Sequence, residues 1–292
     1  MHDFEYCAPA NLQEAIGLMA THKGSASLMA GGTDLIVFMR ARRKRPDMVV
    51  DAKKIPELSE LKMEKNGLTI GASVSCRAIY ENEQVAGAYP ALVDSATLIG
   101  GIQIQGRASI GGNLCNAAPS ADTIPTLIAL GAVANVVNDK GERQIPVEDF
   151  CVGPGKTVLE ENDILVNIFI PAPIAHSGAR FLRFIPRNEM DIAVANSAAF
   201  VELDAAGENF LSARIAIGSV APTPLFVAEA GDALAGKSIN DESILAAAVI
   251  ARDAARPISD MRGTMEHRLQ LVETLTKRVI RDAVKRARGE TV

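Results

Sequence analysis

Apolar residues recur at helical spacing through residues 11–22, where Leu12, Ala15, Ile16 and Met19 share one face. A short apolar run at 25–30 predicts a buried strand, stopped by Gly31-Gly32. A helix is expected over 35–42, capped by Thr33 or Asp34, and a second strand over 48–52. The alternation through 61–72 is broken by Asn66-Gly67, a strong hairpin signal. A helix is expected over 88–99. Residues 100–116 differ: Gly100, Gly101, Gly106, Gly111 and Gly112 interrupt an apolar segment, which suits bulges and close backbone approach rather than a regular element. A short helix follows at 123–130. Strands at 132–137 and 142–146 flank the turn Asn138-Asp139-Lys140-Gly141, and a further strand at 164–170 ends at Pro171 and Pro173.

The paired prolines mark the best domain boundary. Beyond them come three long strand patterns, 179–185, 193–203 and 211–220, then helices at 241–255 and 262–288. Strands followed by helices indicate an α+β C-terminal domain.

Composition narrows the function classes. The net charge of −5 argues against a polyanion-binding surface, so no nucleic-acid partner is expected. The longest stretch without a charged residue, 123–138, contains Pro125 and falls short of the ~20 apolar residues of a membrane span. The acidic start Met1-His2-Asp3-Phe4-Glu5 has no signal-peptide character, which makes the cytoplasm the expected location. Cys7, Cys76, Cys115 and Cys151 are scattered, with no C-x-x-C, and the four histidines show no metal spacing. The basic run Arg40, Arg42, Arg43, Lys44, Arg45 reads as a solvated face or as a contact for an acidic partner subunit.

Two glycine motifs carry candidate chemistry. Leu28-Met29-Ala30-Gly31-Gly32-Thr33-Asp34-Leu35 and Ala108-Ser109-Ile110-Gly111-Gly112-Asn113 each set adjacent glycines after an apolar run. Such glycines can aim several N–H groups into one concavity and admit a phosphate to the main chain. Thr33, Ser109 and Asn113 would add side-chain donors. Two tight turns would give the same pattern. No G-x-G-x-x-G occurs. A literal G-x-x-x-x-G-K-S does, at Gly231 to Ser238, but residues 226–235 read as a helix stopped by Gly236, not as the strand, loop and helix a P-loop needs.

The segments A-G-G-T-D-L (from Ala30) and S-I-G-G-N (from Ser109), continued by A-P-S-A-D ending at Asp122, resemble the FAD-binding medium subunit of the molybdenum hydroxylases, the xanthine dehydrogenase and carbon monoxide dehydrogenase group. F-E-Y-C-A-P-A-N-L-Q-E-A (from Phe4), I-L-V-N-I-F-I-P (from Ile164), R-N-E-M-D-I-A (from Arg187) and M-R-G-T-M-E-H-R (from Met261) extend the likeness over nearly the whole chain. The resemblance implies a vanillyl-alcohol-oxidase-like (PCMH-type) FAD domain in two subdomains, 1–55 and 56–173. A C-terminal domain over 174–292 would add a three-stranded antiparallel sheet and helices.

By the same resemblance, Met29, Ala30, Gly31, Gly32, Thr33, Asp34 and Leu35 would wrap the FAD pyrophosphate. Ser109, Ile110, Gly111, Gly112 and Asn113 would form a second wall. Asp122 would accept a hydrogen bond from a cofactor hydroxyl, or cap the helix at Thr123, or both. Leu165 would contact the flavin or the adenine side, and Arg183 would stand near the isoalloxazine, where some members carry Lys. Ile99 takes the place of an aromatic beside the flavin ring in eukaryotic relatives. His267 replaces a commoner Tyr and reads as a packing or interface residue. Carbon monoxide dehydrogenase subunits usually read A-G-G-H-S where this chain has Ala30-Gly31-Gly32-Thr33-Asp34, which weighs against carbon monoxide as substrate.

Family enzymes hydroxylate substrate at a molybdopterin and pass electrons through two [2Fe–2S] clusters to FAD. Two such clusters need about eight cysteine ligands, and this chain has four. The resemblance therefore implies an iron–sulfur small subunit and a molybdopterin large subunit as partners, assembled as a dimer of heterotrimers, with no catalytic side chain on this chain. The alternatives are a stand-alone flavin oxidoreductase, a P-loop nucleotide-binding protein and a FAD-free structural subunit.

Overall fold

The computed structural model describes residues 2–187 and 190–292. Asn188 and Glu189 of the R-N-E-M-D-I-A segment lie outside the described residues. Near the N-terminus, strand Met48–Asp51 lies between Glu5–Cys7 and Ala26–Met29 and is parallel to both. Parallel neighbours need crossovers, which helices Leu12–Thr21 and Leu35–Arg40 supply. Asn11 caps the first of these by accepting the Glu14 N–H at 2.9 Å, and the predicted face buries Ala15, Ile16 and Met19. The second begins after Asp34, whose side chain makes no capping bond.

A five-stranded antiparallel sheet follows, in the order Leu61–Glu64, Gly67–Gly71, Ile164–Pro171, Val133–Asn138 and Gly141–Pro146. Both predicted hairpins form, and the strand before the paired prolines inserts between them. That strand is covered on both sides, which explains its nearly continuous apolar run. Ile164 and Val166 pack with the N-terminal layer, and Ile168 and Ile170 with the larger core. A register shift between Leu165 and Asn167 moves the alternation from one face to the other.

The helical segment between the hairpins departs from expectation twice. The helix expected over 88–99 is two helices, Glu83–Ala88 and Pro90–Ala96. The break falls at Tyr89, because a residue preceding proline is driven out of the helical region. Residues 100–116, expected to lack regular structure, contain Ile102–Gln105 and Ile110–Asn116. Glycine weakens a helix without forbidding it, and tertiary packing decides here.

The C-terminal sheet runs Ser177–Phe184, Ala195–Leu203, Phe210–Gly218 and Leu225–Phe226, all antiparallel. The fourth strand, absent from the three implied by the resemblance, has two residues. Helix Met265–Ala287 buries Val272, Leu275, Val279 and Ile280 on this sheet. It comes so close that a Cβ on Gly178 would lie 2.2 Å from the Ala283 carbonyl oxygen. Arginines stitch the sheet to the preceding domain: Arg180 and Arg286 both reach Asp94, at 2.8 and 2.6 Å, while Arg214 holds the Ile128 carbonyl and Glu148.

The Gly231–Ser238 match is not a phosphate loop. Gly231 sits inside helix Ala228–Asp232, with its Cα against the Ala213 carbonyl. Gly236 takes a φ of +72° as a helix stop, and Gly236 N–H and Lys237 N–H are both used, on Phe210 and Leu234 carbonyls. The next helix opens at Asp241.

Candidate functional site: a cavity between two glycine loops

The N-terminal parallel sheet and the five-stranded sheet enclose a cavity of about 320 Å³. Its walls include residues 29–35, Ser109, Gly111, Gly112, Asn113 and Leu165, so twelve of the fifteen sequence-predicted site residues converge on one space. Ile99 is on the wall too. Ile110 is not: it is fully buried in the larger core. Asp122 and Arg183 are not on the wall either, and bind each other at 2.5 Å.

The two Gly-Gly pairs divide their work. In each, the first glycine is a packing position. A Cβ on Gly31 would fall 1.6 Å from the Arg107 carbonyl oxygen, and one on Gly111 would fall 2.6 Å from Ala72 Cα. Through these missing side chains the first loop touches Arg107, just ahead of the second, and the helix of the second touches the chain at Ala72. The second glycine of each pair lines the cavity. Gly32 takes a φ of +77°, and a Cβ there would meet the Ile36 and Met29 side chains at 3.1 and 3.2 Å; one on Gly112 would meet only the Ser109 hydroxyl, at 3.0 Å.

The first loop has the polarity an anion needs. Among the described residues, the N–H groups of Gly31, Gly32, Thr33 and Asp34 have no acceptor. The carbonyls just before them are engaged instead: Ala30 O takes Lys53 Nζ at 3.2 Å, and Gly31 O takes Arg107 Nε at 3.2 Å. A run of unpaired N–H groups on a cavity wall fits a diphosphate. Ser73, on the same wall, has a buried hydroxyl with no partner. The second loop is different. Its Gly112 N–H is taken by the Ser109 hydroxyl at 3.0 Å and its Asn113 N–H by the Ser109 carbonyl at 2.9 Å. What it presents is bare glycine surface and the Asn113 amide, whose Oδ1 is fixed by Thr123 Oγ1 at 2.6 Å.

Lys53, Arg107, Ser73 and Lys44 escaped the sequence reading. Lys44 lines the cavity although its basic run reads as a solvated face. The signal for Arg107 was its place two residues before Ser109; Lys53 has no local motif, and only the fold brings it to Ala30.

Electrostatics around the cavity follows burial. Partial enclosure pushes the Asp34 carboxyl above its ordinary range. Burial would also raise Asp51, but bonds from Lys53 (2.6 Å) and Tyr6 (2.5 Å) outweigh it and hold that carboxyl low. Cys115 is exposed on the cavity wall, and desolvation by its surroundings pushes its thiol up to about 12, which keeps it protonated at neutral pH. Asp122 is pushed up to about 6 by burial, against the pull of Arg183. Its Oδ1, the Arg183 Nε and both amide atoms of Asn196 are buried without partners among the described residues. This polar seam starts one residue from Thr123, which fixes Asn113. His267 packs edge-on against Phe184, ring centres 5.7 Å apart. Among the described residues no group of acidic, His or Cys side chains could hold a metal, and no helix is long and apolar enough to cross a membrane.

The cavity therefore fits an elongated ligand with a diphosphate. The family comparisons agree. Residues 2–173 match the model of the FAD binding domain in molybdopterin dehydrogenase, and residues 180–283 that of the CO dehydrogenase flavoprotein C-terminal domain. A xanthine dehydrogenase FAD-binding subunit of Escherichia coli is 34% identical over 293 residues, 99% of each chain. Among solved structures, reconstituted CO dehydrogenase from Oligotropha carboxidovorans superposes with a TM-score of 0.93 at 29% identity, covering 97% of this chain and 98% of that one. Quinoline 2-oxidoreductase from Pseudomonas putida 86 gives 0.90 at 31%, covering 98% of each. With two family models in tandem along one chain and both glycine loops on one cavity, the protein belongs to the FAD-binding medium subunits of the molybdenum hydroxylases.

Proposed function

We propose that this chain is the electron outlet of a multi-subunit molybdenum hydroxylase. The observation that carries the reading is the run of four N–H groups, Gly31 to Asp34, that have no acceptor among the described residues and lie on a cavity wall shared with glycine, apolar side chains and the polar Ser73 and Asn113. Those N–H groups would hold the FAD diphosphate, Gly112 would allow its close approach, and the Asn113 amide and Thr33 hydroxyl would donate to it. Leu165 and Ile99 would cover apolar ring surface and exclude water. Asp122 and Arg183, one short step beyond Asn113, would meet the flavin end, where a cation favours a reduced, anionic ring. FAD, when bound, accepts electrons singly and releases them to a different acceptor. We assign their source to [2Fe–2S] clusters of a small subunit and substrate hydroxylation to a molybdopterin large subunit.

The substrate would be a purine, another N-heterocycle or an aldehyde. Named relatives are dehydrogenases of xanthine and of nicotinate. The assembly would be a dimer of heterotrimers in the cytoplasm, with unit boundaries near residues 55 and 173. The test is an absorption spectrum of the purified chain, with the cofactor identified after heat release. The chain has no Trp and three Tyr, so a flavin band stands out. Close to one FAD per chain is expected, with iron–sulfur and molybdenum partners co-purifying from the native host. A colourless chain that also refuses added FAD would sink the proposal.

A further inference from the structure

We propose that Lys53 and Arg107 are positioning residues that set the polarity of the first glycine loop for its anionic ligand; this rests on the FAD reading above. A peptide plane carries its N–H and C=O on opposite sides. Whatever fixes the carbonyl therefore fixes the direction of the following N–H. Lys53 Nζ holds the Ala30 carbonyl, and so aims the Gly31 N–H. Arg107 Nε holds the Gly31 carbonyl, and so aims the Gly32 N–H. Without these two bonds, either carbonyl could rotate into the cavity and present an acceptor to a diphosphate.

Each cation is itself held. Lys53 is clamped by Asp51 at 2.6 Å, and Asp51 takes the Tyr6 hydroxyl at 2.5 Å. That chain ties the loop to the first and third strands in sequence, whose register is fixed by parallel pairing. Arg107 grips Gly31 from two sides: its guanidinium on the Gly31 carbonyl, and its own carbonyl against the Gly31 Cα, where no Cβ would fit. The second glycine motif thus orients the first through Arg107, two residues ahead of its Ser109 cap. Both carbonyl bonds lie within the chain, so the direction of the loop is set by its own residues and not by contacts to the ligand.

The test uses the full chain. Arg107 is exposed and has no acidic partner among the described residues, so Arg107→Met removes the donor and keeps most of the stem. Lys53→Met is made in an Asp51→Asn background, so that no buried carboxylate is left without its cation. FAD affinity is read by titration of flavin fluorescence, and loop order in the apo chain by hydrogen exchange of the Ile36 and Phe38 amides, whose acceptors are the loop carbonyls of Gly32 and Asp34. Each Met variant should weaken FAD about tenfold against its own background and speed exchange at these amides only. Arg107→Lys should restore affinity to within about threefold of the parent.

Met variants that bind FAD as tightly as their parents would overturn the proposal while leaving the cofactor reading intact. Weaker binding with unchanged apo exchange would overturn it too, since the cations would then act on the ligand as charges rather than on the loop. A parent chain that takes up no FAD fails the cofactor reading itself, and this one with it.

Discussion

The division of labour within each glycine pair predicts opposite outcomes for two neighbouring substitutions. At Gly111 an added Cβ would lie 2.5 Å from the Ala72 carbonyl oxygen and 2.6 Å from its Cα. Comfortable contact needs ~3.5 Å, so the helix and the loop at Ala72 must part by about 1 Å. Overpacking of this kind costs ~1–3 kcal/mol. For a chain of this length that is a fall in Tm of roughly 2–5 °C. At Gly112 the same methyl meets only the Ser109 hydroxyl, at 3.0 Å, and neither glycine has a positive φ that alanine would resist. Alanine also favours the helix by up to ~1 kcal/mol. Gly112→Ala should therefore leave the apo Tm unchanged or raise it by about 2 °C. Its methyl would stand on the cavity wall and weaken FAD by about tenfold or more, and Gly112→Val should abolish uptake. Tm of the stripped chains by circular dichroism and FAD affinity by fluorescence separate the two effects. Equal destabilisation by both alanines, with FAD affinity untouched by Gly112→Ala, would refute the assignment.

Two more consequences are measurable. Asp122 has an ordinary value of 3.8 unfolded and about 6 folded, so the folded chain holds this proton more tightly. Stability from this group is full at low pH and falls as pH rises from about 4 to about 6, then levels off; the urea midpoint of the parent relative to Asp122→Asn should show that descent, and a flat difference would contradict it. Asp94 receives both Arg180 and Arg286 across the seam, and Asp94→Ala leaves these largely buried guanidiniums with only Asp282 and the Ala179 carbonyl. A loss of ~3 kcal/mol is expected in urea unfolding, with faster proteolysis between residues 171 and 177; an unchanged midpoint would mean that the pair contributes nothing to domain docking.

Much of this architecture was legible in the sequence because it is written in local terms. Asn66-Gly67 and the Asn138–Gly141 turn specify hairpins whatever surrounds them, and Asn11 announces a helix start. The parallel sheet was harder, since strand Glu5–Cys7 has three residues and exists only through its pairing with Met48–Asp51. The short helices after Gly100 were obscured by glycines placed there for packing. At the site, the resemblance picked out the loops but not their supports. Lys53 and Arg107 act on main-chain carbonyls, a role any long cation can fill, so their identity leaves no motif. Asp122 and Arg183 stand 61 residues apart, and only the sheet of the second domain brings them together.

A pair of glycines at each loop has a physical reason. Two loops must approach each other closely enough to share one ligand, and each must also let that ligand touch its main chain. A single residue cannot do both, because the side packed against the rest of the protein and the side facing the cavity belong to different Cα atoms. Gly31 and Gly111 remove side chains from the contacts at Arg107 and Ala72; Gly112 leaves bare main chain on the cavity wall, and Gly32 supplies the +77° φ that turns the first loop along it. It follows that damage at the first glycine of either pair should reach the cofactor only through the fold. Restoring the fold, for instance by saturating FAD, should then recover Gly111→Ala and leave Gly112→Val empty, since ligand binding stabilises only a chain that still accepts the ligand.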